Sequence, residues 1–449
     1  MKSVPREAKR IILIGLIEKF AANFIAMSSF IWLTTDYLPT TGWEPATTST
    51  IFLALVGLSI FLVLKQTGSA VDHFKPYGLF LLVQVTNLVT IPLLSLAIFL
   101  ASPQNPLLTL LALAAINLLL AARAATYSSS ILVLISHLVP QEQQADYYSL
   151  DFRFGLIALF LAPVTATYSI QYSVHLGLGL ALVLTLLSLL LLLTPSYRAL
   201  EQRDYGQRIS WTCKSSWSNL RSSATKQAAS TDKSDSADQE NVSGLKSLKY
   251  VKHINIILLM MATEALGNRA RESFDIYFVT GSLGLEIGSY GFLTVALSAG
   301  LLLGSLLTGW TRKNISWQAW PAFCYTSFGL CFAAKGLAPS WELVLLTTFG
   351  EGLFLGLLAG IFQAAKIQFT PPELLGRTNV AFTAVFQLVS TLGLFLWAGY
   401  AWFGANISPS FMNDSGYRIA FCLGGCLIAL SGLMSTRFYR EVQWRKLEN

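Results

Sequence analysis

The sequence predicts an all-α polytopic membrane protein with twelve transmembrane helices in two six-helix halves. Three observations lead to this fold class. Of the 449 residues, 53% are hydrophobic and only 12% are charged, against about 25% charged in an average soluble domain. Apolar stretches long enough to cross a membrane recur along the chain. One long polar segment separates the first six of them from the last six.

The spans follow from the lengths of the apolar stretches, because a membrane-crossing helix needs about 20 mostly apolar residues. The fourth stretch is longer than a membrane requires, so we expect its helix to run past the bilayer. The twelve predicted spans lie near residues 10–33, 49–65, 78–101, 107–137, 147–168, 174–194, 252–279, 289–310, 317–337, 342–366, 378–403 and 417–436.

The loops predict the orientation of the chain, since basic residues collect on the cytoplasmic side. The loops on the other side carry the acidic residues Asp36, Glu44, Glu286 and Asp414. Two basic residues near that side, Lys335 and Arg418, lie within helix ends. We therefore expect both termini in the cytoplasm. This distribution also explains the net charge of +7 without a nucleic-acid partner. The basic residues that share one side are Lys2, Arg6, Lys9, Arg10, Lys65, Lys75, Arg312, Lys313, Arg377, Arg437, Arg440, Arg445 and Lys446.

The polar segment 195–249 divides the chain into three parts. It is rich in Ser, Lys, Asp and Gln, carries both charge signs and shows little apolar periodicity, which is typical of a flexible linker. We interpret residues 1–194 as the first six-helix bundle, 195–249 as a cytoplasmic linker and 250–449 as the second bundle.

The two halves resemble each other in sequence. The first span of each half has a glutamate followed by an asparagine, Glu18 with Asn23 and Glu264 with Asn268. The loops after spans two and eight both begin with Gly-Ser, and those after spans four and ten both contain proline and glutamate. These matches indicate an ancient duplication. Two parallel six-helix repeats around a central cavity are a recurrent design among transporters.

Two loops resemble those of the major facilitator superfamily. The loop that begins at Gly68 reads Gly-Ser-Ala-Val-Asp-His-Phe-Lys and matches the family pattern Gly-x-x-x-Asp-Arg-x-Gly-Arg-Arg at Gly68 and Asp72, with His73 at the arginine position. Residues 371–377, Pro-Pro-Glu-Leu-Leu-Gly-Arg, are similar to a segment of bacterial drug and siderophore exporters of that superfamily. The resemblance covers the whole chain. It implies a secondary transporter in which Asp72 helps to hold the halves together in one gating state.

The seventh predicted span carries a polar stripe. Glu264, Asn268, Arg271 and Asp275 follow the spacing i, i+4, i+7 and i+11, which places them on one face of a helix. Because ionisable groups in a span usually face a cavity or a partner, we interpret Glu264 as a proton or cation site with Asn268 beside it. Arg271 and Asp275 are predicted to pair as an outer gate. The alternative is a structural cluster that holds this span to its neighbours.

Four further residues in predicted spans are candidates for proton coupling or substrate binding: Glu18, Asn23, Arg123 and Glu351. Glu18 is the first-half counterpart of Glu264. Arg123 has the charge to balance Glu18, Glu264 or an anionic substrate group, and the alternative is a fixed ion pair. Glu351 lies among glycines that are more typical of close helix packing than of a binding site.

Asp151 and Arg153 lie where the fifth predicted span begins on the cytoplasmic side. We interpret them as gating residues that couple to the loop containing Asp72. A solvated helix end is the alternative interpretation.

The resemblance implies proton-coupled efflux, by antiport and alternating access, of an amphipathic small molecule such as a drug or siderophore. It also implies that the protein lies in the cytoplasmic (inner) membrane of a bacterium. Uptake or lipid flipping by the same fold remains open, as does a transporter-like receptor or scaffold that signals through the linker. The chain has no phosphate-binding Gly-x-x-x-x-Gly-Lys loop, no metal-ligand spacing and no nucleophile elbow, so we expect no enzymatic activity, cofactor or metal. The expected partners are the substrate, protons and the lipid bilayer, and the expected state is a monomer.

Overall fold

The computed structural model describes residues 6–139, 141–194, 248, 254–314, 320–369, 375–408 and 410–441. Within this part the chain forms twelve long helices, which we number α1 to α12 in chain order. Their bounds are Arg6–Trp32 (α1), Pro45–His73 (α2), Pro76–Phe99 (α3), Pro106–Leu138 (α4), Gln141–Tyr172 (α5), Val174–Leu192 (α6), Ile254–Tyr277 (α7), Gly288–Asn314 (α8), Trp320–Leu337 (α9), Trp341–Phe369 (α10), Leu375–Ile407 (α11) and Tyr417–Glu441 (α12).

The helices correspond to the twelve predicted spans, and α4, with 33 residues, is the over-long one. In the described residues, nine helices contain a stretch long and apolar enough to cross a membrane, and α5, α7 and α9 are the exceptions. Helix α7 falls short because it carries five charged residues. Such a helix is stable in a membrane only where its charges face protein or a cavity.

Proline and glycine set the connections in the first half. Pro45, Pro76 and Pro106 begin α2, α3 and α4, where the missing N–H would have no partner in any case. Gly42, in the α1–α2 connection, has φ +74°, a left-handed conformation that glycine adopts without a Cβ clash. Gly284 has φ +63° in the corresponding α7–α8 connection.

Short connections make consecutive helices antiparallel, so the bundle has two ends. We call the end where α1 begins and α12 ends the terminal end. The opposite end, which contains residues 33–44 and 278–287, we call the far end. The cytoplasmic location of the terminal end stays a prediction.

Each half packs in a similar way. In the first half α1 packs against α5 and α6, and α4 packs against α2 and α3. In the second half α7 packs against α11 and α12, and α10 packs against α8 and α9. The halves meet where α2 packs against α11 and α5 against α8. The predicted linker 195–249 lies outside the described residues except for Leu248, so the proposed division of the chain stays a prediction.

The glycines around Glu351 allow α8 and α10 to pack closely. A Cβ added at Gly352 would collide with the backbone oxygen of Leu297, and one at Gly356 with that of Leu301. Small residues that let two backbones approach are a common means of helix association in membranes. These glycines therefore serve packing, as their sequence spacing indicates.

Candidate functional site

The interior of the first half contains a buried polar group that we call the Glu18 cluster, formed by Glu18, Gln84, Asn87 and Arg123. Glu18 is 2% exposed and Arg123 is 6% exposed. Arg123 Nη1 donates hydrogen bonds to Glu18 Oε1 at 2.5 Å and to Asn87 Oδ1 at 2.9 Å. Gln84 Nε2 and Asn87 Nδ2 donate to Glu18 Oε2 at 2.9 Å and 3.2 Å.

Three helices position the Glu18 cluster. Glu18 lies near the middle of α1, about 21 Å from Trp32 at 1.5 Å per residue, and its partners come from α3 and α4. The sequence allows Arg123 to balance Glu18, Glu264 or an anionic substrate group. In the structure it pairs with Glu18. Arg123 Nε and Gln84 Oε1 are buried without a hydrogen-bond partner among the described residues. The cluster therefore has a donor and an acceptor to spare when its ion pair rearranges.

A second ion pair joins α1 to α5 beside the cluster. Lys19 Nζ lies 2.7 Å from Asp151 Oδ2, and the two side chains are 28% and 18% exposed. Lys19 follows Glu18 directly, so it points about 100° away around the helix and contacts different partners. The predicted gating role of Asp151 is not tested by this contact. The side chains of Asp72 and Arg153 lie outside the described residues, so their gating roles stay predictions.

The second half contains a different buried charge group, which we call the Lys335 cluster, formed by Asp275, Lys335 and Glu351. Lys335 is fully buried and donates a hydrogen bond to Asp275 Oδ1. Its Nζ lies 3.9 Å from Glu351 Oε1. The same ammonium lies 4.6 Å from the ring centroid of Phe421, within the range of a cation–π contact.

The predicted pairing of Arg271 with Asp275 is wrong. Asp275 forms its ion pair with Lys335 on α9. Arg271 makes no salt bridge with any described residue. The helical spacing identifies only neighbours on the same helix, where such a pair contributes about 0.2–0.5 kcal/mol. Lys335 is itself buried and competes strongly for the Asp275 carboxylate. Without that carboxylate, the buried ammonium would lose one of its partners.

The remaining predicted site residues, Asn23, Asn268 and Glu264, do not join either cluster. Asn23 Nδ2 donates to the oxygen of Lys19 on its own helix at 2.9 Å. Asn268 Oδ1 is buried and has no hydrogen-bond partner among the described residues. Glu264 is partly buried, and no described residue forms an ion pair with it.

Sequence reasoning missed three residues of these clusters. Gln84 and Asn87 are uncharged, so a search for charges in apolar stretches does not find them. Lys335 is charged, but it is interpreted from the sequence as a helix-end residue, and it does lie in the last turn of α9. Its burial is the signal that only the packing of α9 against α10 and α12 reveals.

A tyrosine bridges the two halves at the far end. The hydroxyl of Tyr277, the last residue of α7, lies 2.8 Å from Ser49 Oγ and 2.9 Å from the backbone oxygen of Pro45, both on α2. Tyr277 also stacks on Tyr417 of α12, with ring centroids 6.1 Å apart. The two contacts with α2 hold the first and second halves together at this end, whereas the stack on Tyr417 lies within the second half.

A cavity of about 690 Å³ lies beside the Tyr277 bridge. Residues of both halves line it, among them Thr34, Glu44, Asn413 and Tyr417. Glu44 accepts hydrogen bonds from the backbone N–H groups of Ala46 and Thr47 and so caps the start of α2. The lining is therefore partly polar and partly aromatic.

Comparison of the sequence with family models and with curated proteins gives no match. Solved structures do match over nearly the whole chain. A POT family transporter in complex with 5-aminolevulinic acid has a TM-score of 0.70 and 13% identity, and the match covers 98% of this chain and 97% of that one. A D-xylose–proton symporter has a TM-score of 0.69 and 12% identity, with 96% and 97% covered. A mutant of the nucleoside transporter NupG has a TM-score of 0.63 and 11% identity, with 96% and 100% covered.

The chain has the major facilitator fold. The predicted fold class is thereby confirmed, since all three solved proteins share that architecture with this chain. Identities of this size establish the fold alone, so the predicted similarity to drug and siderophore exporters stays a prediction.

Proposed function

We propose that the protein is a proton-coupled secondary transporter that carries a small solute across the membrane by alternating access. The observation that carries this proposal is the Glu18 cluster. The Glu18 carboxylate and the Arg123 guanidinium are buried near the middles of α1 and α4. An ionisable group at such a position costs about 2.5–3.5 kcal/mol on insertion scales, so it usually has a function.

The cluster provides a direct means of coupling. While Glu18 is ionised, it binds Arg123 and accepts hydrogen bonds from Gln84 and Asn87. A proton taken up by Glu18 removes the charge that holds the guanidinium. Arg123 is then left with Asn87 Oδ1 and requires a further acceptor, such as an anionic or polar group of the substrate. Proton binding and solute binding thus act on the same arginine.

The contacts between the halves support alternating access. The halves meet along α2–α11 and α5–α8, and Tyr277 bridges them at the far end. Rocking of one half against the other opens this end only when the contacts of the Tyr277 hydroxyl with Pro45 and Ser49 break. Movement of two repeats around a fixed site is the general mechanism of such folds.

Other residues complete the proposed path. Glu264, Asn268 and Asn23 are proposed substrate contacts, because Glu264 has no ion-pair partner and Asn268 Oδ1 no hydrogen-bond partner in the described part of the chain. Asp72, Asp151 and Arg153 are proposed gating residues at the terminal end. Arg271 keeps a proposed gating role without the pairing that its sequence spacing predicts.

The direction of transport has two candidates. Export of an amphipathic compound, such as a drug or siderophore, by antiport is the one that the sequence favours. Uptake by symport is favoured by the similarity to a protein named a D-xylose–proton symporter and to POT family transporters solved with 5-aminolevulinic acid and with a thioalcohol-conjugated peptide. The mixed lining of the far-end cavity suits an amphipathic solute in either case.

The test is solute-dependent proton movement in proteoliposomes that contain a pH-sensitive dye. The panel includes amphipathic drugs, siderophores, short peptides, xylose and nucleosides. At least one compound is expected to move protons, and the relative direction of the two movements decides between antiport and symport. Glu18→Gln is expected to abolish the proton signal, whereas Glu342→Gln, at an exposed acid on α10, is expected to retain it. A proton signal that survives Glu18→Gln would overturn the proposal.

A further inference from the structure

Glu351 on α10 is a buried acid without a hydrogen bond to any described residue. It has no exposed surface, and neither carboxylate oxygen has a hydrogen-bond partner among the described residues. The nearest cation, Lys335 Nζ, lies 3.9 Å away, beyond hydrogen-bond reach. An ionised carboxylate in such surroundings is costly, because burial removes its solvation and no hydrogen bond from a described residue replaces it.

Lys335 lies between two acids and is bonded to only one. Its hydrogen bond goes to Asp275, and it makes only the longer contact with Glu351. If both acids were ionised, one ammonium would stand between two competing carboxylates. The arrangement is the one expected when Glu351 carries a proton and Asp275 does not.

Other charged or titratable groups surround this pair. Helix α7 contributes Arg271 and Glu272, α8 contributes Tyr290, and α9 contributes the Cys331 thiol. Arg271 is the second cation near the two acids. Arg271 makes no salt bridge with any described residue, whereas the Lys335 ammonium contacts both acids. We therefore assign the response to ionisation of Glu351 to Lys335.

The Lys335 cluster lies next to the contact that bridges the halves at the far end. Asp275 lies two residues before Tyr277, whose hydroxyl bridges to Pro45 and Ser49 of the other half. The ion pair between Asp275 and Lys335 therefore ties the end of α7 to α9 within the second half. Loss of this tie frees the helix end that carries the bridging tyrosine.

We propose that Glu351 is a proton-binding site that operates the far-end gate through Lys335. With Glu351 protonated, Lys335 bonds Asp275, the end of α7 is held, and the Tyr277 bridge is closed. When Glu351 releases its proton, Lys335 moves to it, Asp275 loses its partner, and the far end opens. This inference rests on the proposed function, because it assigns to one named acid the proton dependence of one step in alternating access.

The test measures the width of the far end in reconstituted, full-length protein without substrate. Spin labels are attached at Gln104, in the α3–α4 connection, and at Asn406, near the end of α11, which are both exposed. Introduced keto amino acids carry the labels, so the five native cysteines stay in place. Pulsed electron paramagnetic resonance then gives the distance distribution at acidic and at alkaline pH.

Two variants are expected to act in opposite directions. Glu351→Gln imitates the protonated acid, so the far end should remain closed at both pH values. Asp275→Asn releases Lys335 to Glu351, so the open fraction at acidic pH should reach at least the alkaline level of the wild type. Each variant leaves Lys335 one carboxylate, which limits the effect on folding. Glu342→Gln, on the same helix as Glu351 but exposed, should keep the wild-type response.

Three results would overturn the proposal: a wild-type distribution that does not change with pH, a Glu351→Gln variant that keeps the wild-type pH response, or an Asp275→Asn variant that stays closed. None of these results depends on transport. Failure of the proposed function appears separately, as the absence of solute-dependent proton movement in proteoliposomes. Failure of this inference alone would leave that movement, and its dependence on Glu18, intact.

Discussion

Two ion pairs start from adjacent residues of α1, and the structure predicts that they differ strongly in energy. The side chains of Glu18 and Arg123 are only 3% and 5% exposed, whereas those of Lys19 and Asp151 are 28% and 18% exposed. Removal of one partner from a buried pair costs about 3–5 kcal/mol, since the other charge is left without compensation. A pair that solvent reaches contributes about 0–1 kcal/mol.

We therefore expect Arg123→Met to lower the free energy of unfolding by about 3 kcal/mol, at the low end of the range because Gln84 and Asn87 still donate to Glu18. Lys19→Met should lower it by about 1 kcal/mol or less. The double variant Glu18→Gln with Arg123→Met should recover part of the loss, because no buried charge is then left unpaired.

The assay is reversible unfolding in mixed micelles of a mild and a denaturing detergent, followed by circular dichroism. Both single variants are compared with the wild type under the same conditions, and the double variant completes the cycle. Equal losses for Arg123→Met and Lys19→Met would refute the reasoning, as would a double variant that is less stable than Arg123→Met alone.

Two further predictions concern packing and the far end. Gly352→Ala should lower the free energy of unfolding by about 1–3 kcal/mol, because the added Cβ would collide with the backbone oxygen of Leu297. Gly399→Ala, where nothing lies within 4 Å, should change it by about 0.5 kcal/mol or less, and equal melting shifts would contradict this account. Tyr277→Phe removes the bridge between the halves, so the labels at the far end should report a larger open fraction. Tyr400→Phe removes a hydrogen bond within the second half, to the oxygen of Gly416, and should leave that fraction unchanged.

The fold was predictable because the membrane imposes it locally. Each span needs a long apolar stretch, and the polar segment 195–249 marks where six spans end and six begin. Helix α7 is the instructive exception. Nine other helices in the described residues are apolar enough to cross a membrane, but the five charged residues of α7 make it too polar. The spacing of the polar stripe from Glu264 to Asp275 still identifies α7 as a helix.

The candidate site was predictable only in part. Charge in an apolar stretch identified Glu18, Arg123 and Glu351, because that signal lies in single positions. The partners were not predictable, since pairing depends on how helices distant in sequence pack. Lys335 reaches Asp275 across 60 positions of the chain, and a helical repeat predicts Arg271 instead. No local signal separates these two outcomes.

The central claim is that Glu18 couples proton movement to solute movement, and one measurement tests it most directly. Once a transported solute is known, its exchange across proteoliposomes at equal pH is compared with its accumulation against a gradient driven by a pH difference. The account predicts that Glu18→Gln retains exchange and loses pH-driven accumulation, while Glu342→Gln retains both. A Glu18→Gln protein that still accumulates the solute at the wild-type level would contradict the account.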